Sequence, residues 1–195
     1  MIRAALLAMT LAALTACGTE DTPPPAYKLT GDACSATDTT LYTTLTGDTS
    51  AKGEAEKLVP GLQGGACKWT FDGAHGYLLV NTFIAIHPSA EAAKKMYDDF
   101  RVTDAKADAA SEEKTVIDVK GLGTTAHLYR EHDDKAPWKP ADQWLYKYVV
   151  HHGTLVLTVN AGGFGREATG WPSNEQELQD KAKSTTEAIM KKLAG

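Results

Sequence analysis

The chain has 195 residues, a formal net charge of −5 at neutral pH and 43% hydrophobic residues. That length fits one domain of roughly 100–200 residues, and a mean hydropathy of −0.30 argues against a polytopic membrane protein. No basic stripe or arginine-rich tract offers a contact for nucleic acid or for an anionic membrane surface.

The first residues read as a targeting signal. Met1-Ile2-Arg3 is a short positive start, Ala4 to Leu14 is an apolar run broken only by Thr10, and Thr15-Ala16 are small residues before Cys17. That order marks a secretory signal peptide. The run is shorter than the roughly 20 apolar residues that a membrane span needs. Leu14-Thr15-Ala16-Cys17-Gly18 looks like a bacterial lipobox. In proteins with that motif the Cys thiol receives a diacylglyceryl group, and cleavage leaves it as the new N-terminus. The resemblance implies loss of residues 1–16, lipid on Cys17, and anchoring at the outer face of the cytoplasmic membrane. Two acyl chains make a stable anchor, since each buried CH₂ contributes about 0.8 kcal/mol and one chain alone is marginal. Removing Arg3 with the signal takes the net charge to −6.

Three cysteines are an odd number for an exported protein. Lipid on Cys17 leaves Cys34 and Cys67, and a disulfide between them is the natural reading in an oxidising compartment. Two buried free thiols are the alternative.

Residues 17–33 contain Pro23-Pro24-Pro25 among polar residues and predict a disordered tether that cannot bury enough surface to order itself. A single domain over 34–195 follows. Leu41, Tyr42 and Leu45 predict a short helix over 38–46, stopped by Gly47. Residues 47–65 are Gly-rich and polar and read as loop, with Leu58, Val59 and Leu62 as packing points. Strands at 67–71 and 77–86 join through the turn Asp72-Gly73-Ala74-His75-Gly76. The second strand is apolar on both faces, as in a buried central strand.

Ser89 caps a helix reaching about Phe100, with Ala93, Met96, Tyr97 and Phe100 at helical spacing. Residues 101–114 are expected to fray into a loop. Short strands follow at 116–119 and 126–130, linked by Gly121-Leu122-Gly123, then a polar loop over 131–142. Strands at 144–151 and 154–160 form a hairpin. A two-residue turn at His152-Gly153 would set Val150 opposite Leu155, Tyr148 opposite Leu157 and Tyr146 opposite Val159. Keeping one face apolar favours that register over a one-residue slip. Residues 161–172 read as a Gly-rich loop. Ser173 and Gln176 make a capping box for a last helix with Leu178, Ala182, Thr185, Ile189 and Leu193 on one stripe. The sum is an α+β fold, a mostly antiparallel sheet flanked by helices.

A lipobox, a Thr/Pro linker, Ala33-Cys34 before the first helix, Ala66-Cys67-Lys68-Trp69 in a strand and Gly121-Leu122-Gly123 before Ala126 recur together. In this the chain resembles small actinobacterial cell-envelope lipoproteins, several of which are similar to the PsbP-like α/β/α sandwich. The resemblance implies a binding or scaffolding role and transfers no catalytic residue.

Chemistry-bearing motifs are sparse. His75, His87, His127, His132, His151 and His152 have no metal-ligand spacing, and His151 and His152 should point apart on a strand. Gly162-Gly163-Phe164-Gly165-Arg166 lacks the spacing of a phosphate loop, and no helix begins at the glycines. No Gly-x-Ser-x-Gly elbow is present. No cofactor, metal or nucleic acid is expected. The strongest binding candidates are Trp138, Trp144, Phe164 and Trp171, in or beside the late loops where binding residues concentrate on a rigid sheet. Trp144 and Trp171 could instead plug the edge of the core. These residues predict a non-enzymatic binding or accessory protein engaging an envelope lipid, glycan or membrane protein. The alternatives are an envelope-polymer hydrolase, which would need a cleft with perturbed carboxylates or histidines, and a purely structural subunit with a large apolar patch.

Overall fold

The structure, a computed structural model, describes residues 24–58, 61–108, 114–133, 143–166 and 175–195. Its elements are α1 (Ala33–Ala36), α2 (Thr40–Thr46), β1 (Gly53–Lys57), β2 (Gln63–Asp72), β3 (Gly76–Ile86), α3 (Ala90–Asp108), β4 (Lys114–Val119), β5 (Thr125–Asp133), β6 (Gln143–His152), β7 (Leu155–Gly165) and α4 (Glu175–Leu193). The strands form one sheet in the order β1-β2-β3-β7-β6-β5-β4. Every neighbouring pair is antiparallel. The fold is α+β.

Side chains alternate across a strand, so each strand serves two faces. On one face Leu78, Val80 and Ile84 of β3, Leu155, Leu157 and Val159 of β7, and Tyr146, Tyr148 and Val150 of β6 are buried. They pack with Leu178, Ala182, Ile189 and Leu193 of α4 to form the main core. The stripe predicted on the last helix is this contact. Tyr42 of α2 enters the same core and its hydroxyl lies 2.8 Å from Thr185 Oγ1. Helix α2 stops at Gly47, whose φ of 74° is left-handed and suits a residue without Cβ.

The Cys34–Cys67 disulfide is present, with Cα atoms 5.0 Å apart. It ties α1 to β2, and Trp69 packs against the same core.

On the opposite face lies α3, capped by Ser89 Oγ, which accepts from Ala92 N at 3.1 Å. Ala93 packs with Ala85 and Val156, flanked by Leu58, Leu62, Phe83, Met96 and Phe100. This smaller cluster lies towards the β6–β7 turn.

The observed elements depart from the sequence reading in several places. Residues 53–57 and 63–65 are strand and not loop. β1 is an exposed edge strand whose Gly, Glu and Lys side chains carry no burial signal, so its order comes from backbone pairing with β2. The third helix continues from Phe100 to Asp108 because Arg101 and Asp104 find partners on the sheet, Asp118 on β4 and His127 on β5. Residues 131–133 extend β5 and residues 161–165 extend β7. Glycine is disfavoured in strands, but β7 runs between β3 and β6, and pairing on both sides holds it extended.

The hairpin turn is Gly153-Thr154, so His152 faces Leu155, Val150 faces Leu157, Tyr148 faces Val159 and Tyr146 faces Ala161. That register is two residues from the expected one. A shift of two keeps every side chain on its face, so the apolar pattern cannot distinguish the two registers. Gly153, with φ of 57°, takes the left-handed position that a tight hairpin turn needs.

β3 sits inside the sheet, but it is fully covered on one face only, since Tyr77, Leu79 and Phe83 are half-buried. The segment expected as a disordered tether is pinned to the domain at Tyr27 in its described part. Tyr27 is buried, its hydroxyl bonds to His152 Nδ1, and Lys28 N donates to Leu193 O at 2.9 Å. Cys17, Val59 and the Ser173 cap lie outside the described residues.

Candidate binding groove on the half-covered sheet face

Beyond α3 the same sheet face continues as an open groove of about 310 Å³, lined by Tyr77, Leu79 and Asn81 of β3, Leu145 of β6, and Asn160, Gly162 and Phe164 of β7, with Glu131 and Gln143 at the side. Cross-strand pairing arranges these residues in rows. Tyr77 stands opposite Phe164, their rings stacked at 5.5 Å with 23° between planes. In the next row Leu79 and Leu145 flank Gly162. One row further, Asn81 stands opposite Asn160, and Asn160 opposite Lys147. A second hollow of about 280 Å³ shares the two asparagines and runs on past Thr158 to Lys68 and Glu54.

Gly162 shapes the floor. A Cβ there would come within 2.6 Å of Leu145 Cδ1 and 3.1 Å of Trp144 O. Its missing side chain therefore gives Leu145 room to lie across the strand.

The polar row has one committed member and one open one. Lys147 Nζ donates to Asp104 Oδ1 and lies 5.0 Å from the centre of the Tyr129 ring. Asp104, 2% exposed, also accepts from His127 Nε2 at 2.9 Å. Burial pushes the Asp104 carboxyl upward, but the hydrogen bonds and charges of His127 and Lys147 outweigh it and hold the group below its ordinary range. Asn160 Oδ1 and Thr158 Oγ1 are buried and find no partner among the described residues.

Of the predicted binding residues, Phe164 lines the groove. Trp144 borders it, but its indole stacks on His132 with ring centres 3.8 Å apart and lies 6.2 Å from Tyr146, packed against the main core. Trp138 and Trp171 lie outside the described residues. The sequence reading does not single out Tyr77, Leu79, Asn81, Leu145 or Asn160 as binding residues. Their one available signal was the polar break at Asn81 in an otherwise apolar strand.

The histidines are mostly strand residues. His127 and His151 are buried beside Tyr97 on the α3 face, while His152 turns to the other face and meets Tyr27, as alternation requires. Burial and the neighbouring His151 hold the His152 imidazole below its ordinary range. Among the described residues no group of three or more His, Cys, Asp or Glu is placed to hold a metal ion.

No family model matches the chain, and no curated protein matches it. Among solved structures it is similar to the extracellular domain of PknH from Mycobacterium tuberculosis, at 10% identity and a TM-score of 0.43, over 86% of this chain and 98% of that one. No helix among the described residues is long and apolar enough to cross a membrane.

Proposed function

We propose that this protein is an exported lipoprotein, tethered through Cys17 to the outer face of the cytoplasmic membrane, whose domain binds an envelope ligand without catalysis. The observation that carries the binding role is the groove. Half of one sheet face lacks a helix above it among the described elements, and that half is concave, aromatic at one end and polar in the middle. Ligand sites commonly combine an apolar lining with a few placed polar groups. The buried Asp104–His127 pair is absent from the described lining, which favours binding over acid–base chemistry there. The Cys34–Cys67 disulfide suits an oxidising compartment, and the signal peptide and lipobox supply the export and the anchor. Kinship with the PsbP-like lipoproteins belongs to the same reading.

Native mass spectrometry of protein released gently from its own membranes tests the binding role. The wild-type chain should carry a bound molecule that Leu79→Arg, which fills the groove floor, does not. An empty wild-type groove, or the same molecule on both chains, rejects it. The anchor is tested separately by Cys17→Ser, which should release the protein from the membrane or stall its processing.

A further inference from the structure

Building on the groove reading above, we infer that its ligand is a neutral, polyhydroxylated molecule, a short glycan segment. One sugar ring stacks on the Tyr77–Phe164 pair and its hydroxyls meet Asn81 and Asn160.

The dimensions come first. The apolar floor occupies two rows, Tyr77–Phe164 and Leu79–Gly162–Leu145, before Asn81 and Asn160 interrupt it. Two rows along a strand span about 7 Å, and three strands across span roughly 10 Å. That patch seats a ring. It is shorter than a membrane acyl chain, which crosses one leaflet of about 15 Å, half of a hydrocarbon core of roughly 30 Å.

The polar groups come next. A side-chain amide carries both donors and acceptors, and a hydroxyl does too, so an Asn pair matches neighbouring hydroxyls in either sense. Asn160 Oδ1 is buried with no partner among the described residues. Asn160 lines the groove, and a turn of its side chain would present this unpaired acceptor to a ligand O–H.

Charge disfavours the anionic alternatives. Lys147, the cation next to Asn160, is taken by Asp104. Glu131 on the groove side accepts from Tyr129 Oη at 2.7 Å, and Glu54 and Glu56 border the adjoining hollow. Lys68 stands opposite Asn81, but its cross-strand neighbour on β1 is Glu54 and Glu56 lines the same hollow, so a phosphate or carboxylate headgroup would meet more acid than base there.

The test uses the full, disulfide-intact, lipid-tethered protein in nanodiscs, with ¹⁵N labels reporting the Asn81 and Asn160 side-chain amides. The probes are an N-acetylglucosamine tetramer, maltotetraose and, as an uncharged acyl probe, methyl hexanoate. At least one tetramer should shift both amides. Asn160→Leu, similar in size, should weaken that binding about tenfold while the backbone amide spectrum stays folded. Phe164→Ala should weaken it by a similar factor. Unchanged affinity in Asn160→Leu overturns the inference. Shifts with methyl hexanoate alone also overturn it but leave the groove as a binding site. No shift at any groove residue with any probe overturns both readings.

Discussion

Asp104 of α3 and His127 of β5 meet with Oδ2 and Nε2 2.9 Å apart, and both residues are shut off from solvent. Asp104 Oδ1 simultaneously holds Lys147 of β6. One carboxylate thus fastens the end of α3 to two strands.

Asp104→Asn should destabilise the fold by about 2–4 kcal/mol, because it leaves the half-buried Lys147 ammonium without its counter-charge and the buried His127 Nε2 without its carboxylate partner. Urea melts at neutral pH measure this. The pH dependence has a definite sign. The folded carboxyl lies below its ordinary value, so its contribution is present above the unfolded pKa near 3.9 and is lost as pH falls through the folded value. Wild type should therefore lose stability more steeply than Asp104→Asn below about pH 4. Parallel acid limbs for the two chains would refute the assignment.

Reduction of Cys34–Cys67, or its replacement by alanines, should cost about 3–4 kcal/mol. The residues are 33 apart in sequence, and opening a loop of that length restores chain entropy to the unfolded state. Guanidinium unfolding with and without reductant reads the difference.

Two adjacent glycines should respond differently to alanine. At Gly162 the new Cβ meets the tip of a flexible Leu145 side chain at 2.6 Å, whereas at Gly163 it meets the Tyr77 carbonyl oxygen at 2.0 Å. Gly162→Ala should cost less than about 1.5 kcal/mol and push Leu145 into the groove. Gly163→Ala must part β3 from β7 and should cost about 3 kcal/mol or more. Equal melting temperatures for the two variants would contradict the described strand spacing.

Tyr27→Ala should free the segment before α1. It removes a buried ring and its bond to His152, a loss of about 3 kcal/mol. Limited proteolysis should then cut between residues 24 and 32 much faster than in wild type. An unchanged cleavage rate would show that the Lys28–Leu193 backbone contact suffices.

The last helix and the β2–β3 hairpin were legible because each carries a complete apolar period and a stop signal. Leu178, Ala182, Thr185, Ile189 and Leu193 needed no partner to be read as one face. β1 and the far end of β7 were not legible, since Gly53–Lys57 and Ala161–Gly165 hold few side chains that report burial. The groove was half legible. Phe164 stood out as an aromatic among glycines, but Tyr77 and Leu79 looked like core residues in a strand that is apolar throughout.

Local order in the chain determined the longer helices and the apolar strands and which of their faces are apolar, because these follow from spacing along the backbone. Only the tertiary structure decided how far α3 reaches across its sheet face, and hence which apolar side chains remain uncovered. That reach is set by Asp104 finding His127 and Lys147, a contact between residues 23 and 43 positions apart that no short-range pattern encodes. The two-residue hairpin shift has the same origin, since alternation repeats every second residue and backbone turn geometry chooses among the equivalent registers.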